Sequence, residues 1–171
     1  MKVYIVRHGK AENEAATRLD TDRILTARGV EQARYIGGHI ARVGPVAQLI
    51  VSSAVTRAVE TARIIHSYAN CRFATADELH VDAPVSAAVD LLTSLAFPVK
   101  GKPVETLVLV GHNPQVSDLC EVLVNGIGAA RFLFRTGEAM LLEVNRLNLI
   151  GSGKLVGKIR LDEECRAGQG A

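Results

Sequence analysis

Hydrophobic positions fall in short bursts separated by polar turns. Residues 3–6 (VYIV) form a β-branched and aromatic run that stops abruptly at Arg7-His8-Gly9. A run of this length bounded by polar residues predicts a buried strand feeding a loop. Residues 48–52 (QLIVS) and 106–110 (TLVLV) repeat the pattern and end at Ser52-Ser53 and Gly111-His112. Residues 71–75 predict a shorter strand. Between these runs the apolar period changes to that of a helix. Thr26 is placed to cap a helix carrying Val30, Ala33, Ile36 or Gly37, and Ile40 on one face, ending near Val43-Gly44-Pro45. A second helix starts near Ser53 to Thr56 and runs to about Tyr68, and residues 86–96 predict a third, stopped by Pro98. Asn113 reads as a helix cap with Pro114 at the first helical position of a helix over 115–124. Residues 139–144 and 154–161 alternate like an antiparallel hairpin, and residues 10–25 read as polar and irregular. The order of strands and helices predicts a three-layer α/β/α sandwich on a mostly parallel sheet. Neither repeat nor linker interrupts it, so one domain over 1–171 is expected, with 162–171 as a flexible tail.

Composition changes this picture little. Of 171 residues 48% are hydrophobic and only 4% aromatic, so the core must be aliphatic. Net charge is +2, too balanced for nucleic acid or a membrane surface to be recognised by bulk field. The N-terminal stretch has no room for a signal-peptide core and no apolar run reaches membrane-spanning length. A cytoplasmic monomer is the expectation. Cys71, Cys120 and Cys165 lack paired or metal-ligand spacing and read as reduced thiols.

The chemistry lies where the strands stop. In a parallel sheet their carboxyl ends share one edge, where open α/β sheets bind ligands. Three strand ends deliver Arg7 and His8, then Ser52 and Ser53 with Arg57 one turn later, then His112 at a helix N-terminus. Arginine forks match phosphoryl oxygens, and helix N-termini add free N–H groups. A neutral imidazole among cations is a candidate nucleophile. No carboxylate cluster suited to a divalent metal accompanies these motifs. Ser52 and Ser53 read as turn and capping residues, and Glu12 and Glu60 as solvated carboxylates. His39, His66 and His80 read as ordinary surface or boundary residues.

Arg7-His8-Gly9 after a first strand resembles the signature of the histidine phosphatase, or phosphoglycerate mutase-like, superfamily. Residues 25–33 (LTARGVEQA) resemble its "LTxxGxxQA" segment, residues 52–62 (SSAVTRAVETA) its "SSPxxRAxQTA" segment, and 110–114 (VGHNP) its second-histidine motif. Ala54 and Glu60 depart from the usual Pro and Gln. The chain's length, its "RHGxAE" variant and the Thr136-Gly137-Glu138-Ala139 turn are most similar to the short SixA-type phosphohistidine phosphatases. The resemblance implies a metal- and cofactor-independent phosphatase with a role in signal transduction. In it His8 would be phosphorylated, Arg7 and Arg57 would bind phosphoryl oxygens, and His112 would stabilise the transferring group. A backbone carbonyl near Gly9 would hold the other nitrogen of His8. Glu78 matches by position the carboxylate with which many relatives protonate a leaving group. The implied substrate is a phosphorylated protein, such as a histidine phosphotransfer domain, or a small phosphorylated metabolite. A phosphoglycerate-type mutase is disfavoured by the short interval from Arg57 to His112, which leaves little room for a lid. A non-catalytic phospho-ligand binding module is disfavoured by the intact His8 and arginines.

Overall fold

In a computed structural model of the chain, residues 1–126 and 132–161 are described. Six strands form one sheet: β1 (Lys2–Arg7), β2 (Leu49–Ser52), β3 (Arg72–Thr75), β4 (Thr106–Gly111), β5 (Glu138–Glu143) and β6 (Lys154–Arg160). Their order is β3-β2-β4-β1-β5-β6. The pairs β3-β2, β2-β4 and β4-β1 are parallel, while β5 runs antiparallel to both β1 and β6. Helices α1 (Ala27–Arg42), α2 (Thr56–His66), α3 (Val85–Ala96) and α4 (Gln115–Asn125) follow the first four strands in turn. The tail at 162–171 and Cys165 lie outside the described residues.

The continuous apolar runs have a direct physical reason. Successive strand side chains point to opposite faces, and here both faces are covered. Tyr4, Val6, Ile50, Val108 and Val110 pack on one side with Ile36 and Ile40 of α1 and Ala58, Ala62 and Ile65 of α2. Val3, Ile5, Leu49, Val51, Leu107 and Leu109 pack on the other with Ala88 and Leu92 of α3 and Leu119 and Leu123 of α4. A three-layer sandwich results.

Two details differ from expectation. Val30 is only half-buried, and Gly29 and Gln32 join Ala33, Ile36, Gly37 and Ile40 on the inner face of α1. The helix there meets a loop rather than the sheet. Asn113 does not cap α4; Pro114 holds that position without a side-chain hydrogen bond. The Asn113 amide is used elsewhere, donating from Nδ2 to the Phe134 carbonyl and accepting the Ser117 hydroxyl. Thr26 does cap α1, accepting the Gly29 N–H.

Gly29 also sets how closely α1 approaches the end of β1. A Cβ on it would fall well inside contact distance of the Lys10 carbonyl oxygen, and one on Gly9 would lie 2.6 Å from the Gly29 oxygen. Both neighbours are backbone, so neither can swing aside. Gly29→Ala is expected to cost about 1–3 kcal/mol, the usual range for overpacking, measured by chemical denaturation. A variant as stable as the parent would show that the α1 contact is not a constraint.

Candidate functional site

The ends of β1, β2 and β4 bring Arg7, His8, Arg57 and His112 to one open cleft of about 650 Å³. His8 and His112 lie with ring centroids 5.0 Å apart. The loop between β1 and α1 closes one side with Asp20 and Arg23, and Asn113 and Thr136 complete the rim.

The tautomer of His8 follows from its neighbours. Nδ1 lies 2.7 Å from the Gly9 carbonyl oxygen, which can only accept. The ring proton is therefore on Nδ1, and the Nε2 lone pair faces the cleft, where Arg57 Nε donates to it at 3.3 Å. The His112 Nε2 is 3.0 Å from Ser53 Oγ, and its Nδ1 is a buried atom with no partner. Arg7 donates from Nη1 to the Phe134 carbonyl, which leaves its buried Nε unpartnered. Arg7 and His112 both line the cleft beside His8.

Both imidazoles are held neutral. Burial is the first cause and pushes His8 down to about 4, with the charges of Arg57, Arg7 and Arg23 adding to it and the Gly9 hydrogen bond opposing. Burial likewise pushes His112 down to about 3, assisted by His8, Arg57 and His80. Desolvation thus outranks the neighbouring cations in holding the rings neutral.

The motif residues around these groups are their supports. Thr61 Oγ1 accepts the Gly9 N–H and donates to the Arg57 carbonyl, tying β1's loop to α2. Gln32 accepts the Lys10 N–H and donates to the Thr136 carbonyl, and the Gly137 N–H donates to the His8 carbonyl. Glu60, expected to be solvated, instead accepts the Leu25 N–H at 2.7 Å and anchors the segment that precedes α1. Ser53 does turn the chain as expected, and also orients His112.

Glu78 is not brought into the cleft. It lies exposed in a short 3-10 turn (Asp77–Leu79), and its backbone carbonyl is used by Gln115. Val81, not Glu78, is the lining residue from that segment. Sequence reasoning missed Asp20 and Arg23. The Asp20 carboxylate bridges Arg57 Nη2 at 3.0 Å and Arg23 Nη2 at 2.7 Å, and its backbone carbonyl accepts from Arg57 Nη1. Burial alone would raise Asp20, but Arg57 and Arg23 outweigh it and hold the carboxyl below its usual range. The loop lacks apolar periodicity, so nothing in its pattern marked it as structured. Among the described residues no group of three His, Cys, Asp or Glu side chains is placed to hold a metal ion. No helix there is long and apolar enough to cross a membrane.

Open α/β sheets bind ligands at the carboxyl edge of their strands, and here that edge carries a donor-rich cleft. The family model of the histidine phosphatase superfamily (branch 1) matches residues 3–80. The fold is shared with the solved protein histidine phosphatase SixA complexed with tungstate, at a TM-score of 0.81 and 22% identity over 98% of this chain and 99% of that one. Among curated proteins, the mitochondrial serine/threonine-protein phosphatase PGAM5 of Xenopus laevis is 36% identical over 84 residues, covering 48% of this chain and 30% of that protein. The probable phosphoglycerate mutase GpmB of Serratia proteamaculans is 33% identical over 98 residues, covering 54% of this chain and 45% of that protein. The chain thus spans less than half the length of these curated relatives.

Because folding favours the neutral form of both histidines, acid opposes folding. Their folded pKa values lie below the unfolded value of roughly 6.5, so the unfolded chain binds more protons between the two. Stability is fully present above about pH 6.5 and declines as pH falls toward 4. Denaturation at pH 7.5 and 5.0 should show this loss, reduced in His8→Asn. Proton NMR should find His8 and His112 still neutral at pH 5.5; a titration midpoint near 6.5 would contradict the burial account.

Proposed function

We propose that the protein is a phosphatase that removes the phosphoryl group of protein phosphohistidine by way of a phosphorylated His8. One observation carries this reading. An unprotonated His8 Nε2 is fixed by the Gly9 carbonyl and meets Arg57 Nε, in a cleft lined also by Arg7 and His112. A tetrahedral phosphoryl group attacked by Nε2 would find in the two guanidiniums the donors its oxygens need. The SixA structure of the same fold was solved with tungstate, itself a tetrahedral oxyanion.

In the first step the Nε2 lone pair forms a bond to phosphorus and the bond to the leaving group breaks in line. Arg57 Nε shifts from Nε2 to a phosphoryl oxygen as that lone pair is used. Arg7 and His112 hold the other oxygens, stabilising charge by preorganised donors. In the second step water attacks phosphorus, phosphate departs, and His8 recovers its lone pair. Gly9 O keeps Nδ1–H in place throughout, and it stabilises the ring while Nε2 carries the phosphoryl group. Glu78, outside the cleft, is assigned no part. A departing imidazole is basic enough to take its proton from water, so a phosphoramidate needs no dedicated acid. The openness of the cleft suits a phosphohistidine borne on a protein surface.

His8→Ala should abolish turnover of a phosphohistidine peptide and of an aryl phosphate, and wild type quenched during turnover should yield phosphorylated His8 by mass spectrometry. Arg57→Ala should lose about 10²–10³ in kcat, the usual range for a transition-state donor. Glu78→Gln should stay within about threefold of wild type. A panel containing phosphoglycerate also reads the mutase alternative. Unchanged turnover in His8→Ala would overturn the mechanism, and a preference for small esters would move the substrate class to metabolites.

A further inference from the structure

Among the described residues that line the cleft, Asp20 is the one acid, facing Arg7, Lys10, Arg23 and Arg57. Its placement is specific. The carboxylate takes the outer Nη2 of Arg57 and of Arg23, while its own side chain stays 60% exposed. The inner groups, Arg7, His112 and Arg57 Nε, bond elsewhere, to Phe134, Ser53 and His8. Asp20 also lines a second hollow of about 470 Å³, shared with Asn13 and Arg23 and bordered by Glu14 and Arg18. It therefore stands on the ridge between the phosphoryl cleft and the neighbouring space open to the rest of a substrate.

We propose that Asp20 is a charge filter: it admits substrates whose group next to the phosphoryl is neutral or cationic and turns away those carrying a second anion there. The proposal rests on the cleft being a phosphoryl site. Its physics is Coulombic. The inner donors balance the phosphoryl charge, and the outer edges of Arg57 and Arg23 are already given to Asp20. A second anion meets an exposed negative charge at short range, whereas an imidazolium meets a counter-ion. A phosphohistidine fits this pattern and a phosphorylated sugar acid does not.

A matched pair of non-hydrolysable probes separates the filter from the catalytic reading. Calorimetry would compare meta-trimethylammonio-phenylphosphonate with meta-carboxyphenylphosphonate on wild type, Asp20→Asn and Asp20→Glu. Wild type should prefer the cationic probe by about tenfold or more, since one charge contact of this kind is worth at least that much. Asp20→Asn should bring the ratio near one, mainly by tightening the anionic probe, and Asp20→Glu should restore the preference. Equal binding of the two probes by wild type would overturn the filter. So would an Asp20→Asn variant that weakens both equally, since Asp20 would then only orient Arg57. Hydrolysis of plain phenyl phosphate by wild type, run alongside, reports on the phosphatase reading alone, because that substrate carries no second charge.

Discussion

The hydrogen bond from His8 Nδ1 to the Gly9 carbonyl is the constraint on which the site depends. It decides which nitrogen carries the proton, and so which one faces the cleft with a lone pair. A bond between adjacent residues holds a ring only if the backbone that carries the acceptor is itself fixed. Gly9 is fixed by the Thr61 hydroxyl, by contact with Gly29 and by the flanking bonds to Gln32 and Gly137. Elements far apart in sequence thus converge on the backbone that carries this one carbonyl. Side chains that look like scaffold are the reason a common strand-end histidine acquires a single orientation.

Charge in the cleft is arranged by depth. Its floor is dry enough that two imidazoles stay neutral 5.0 Å apart, which removes the repulsion a pair of cations would suffer. The guanidinium of Arg57, although buried, is not left bare: His8, the Asp20 carbonyl and the Asp20 carboxylate each take part of it. Positive charge is thereby retained with the Arg57 nitrogens partnered. On the proposed reading, a site balanced in this way would offer donors to an incoming oxyanion with little reorganisation, the condition for electrostatic catalysis.

The sheet and its two covered faces were legible in the sequence because burial leaves a continuous apolar run, and the four convergent side chains were legible because each follows such a run directly. Contacts that depend on tertiary approach were not. The pull of Phe134 and Ser117 on Asn113 displaces it from the cap. The use of Glu60 by a backbone N–H in a different segment could not be read from local spacing. Glu78 matched by position in the chain, yet a 3-10 turn leaves its side chain exposed and presents Val81 to the cleft instead. Asp20 and Arg23 sit in a stretch without periodicity, held by one bridge between Ala11 and Leu25 and by bonds such as Glu12 N–H to the Ile24 carbonyl.

That contrast separates two kinds of information in the chain. The strand ends specify a chemistry, because their geometry is set by a packed sheet that tolerates little change. The loop between β1 and α1 lies on the surface and can vary without disturbing the sheet. It reaches the cleft through one carboxylate and one guanidinium, which alter the field beside the phosphoryl position and leave the donors beneath it in place. Arg57 belongs to both, giving its Nε inward to His8 and its outer nitrogens to Asp20. On the proposed reading, reactivity and selectivity would meet on a single guanidinium. A change in the loop would then shift which phosphorylated molecule is accepted while the lone pair on His8, fixed from behind by Gly9, stays where it is.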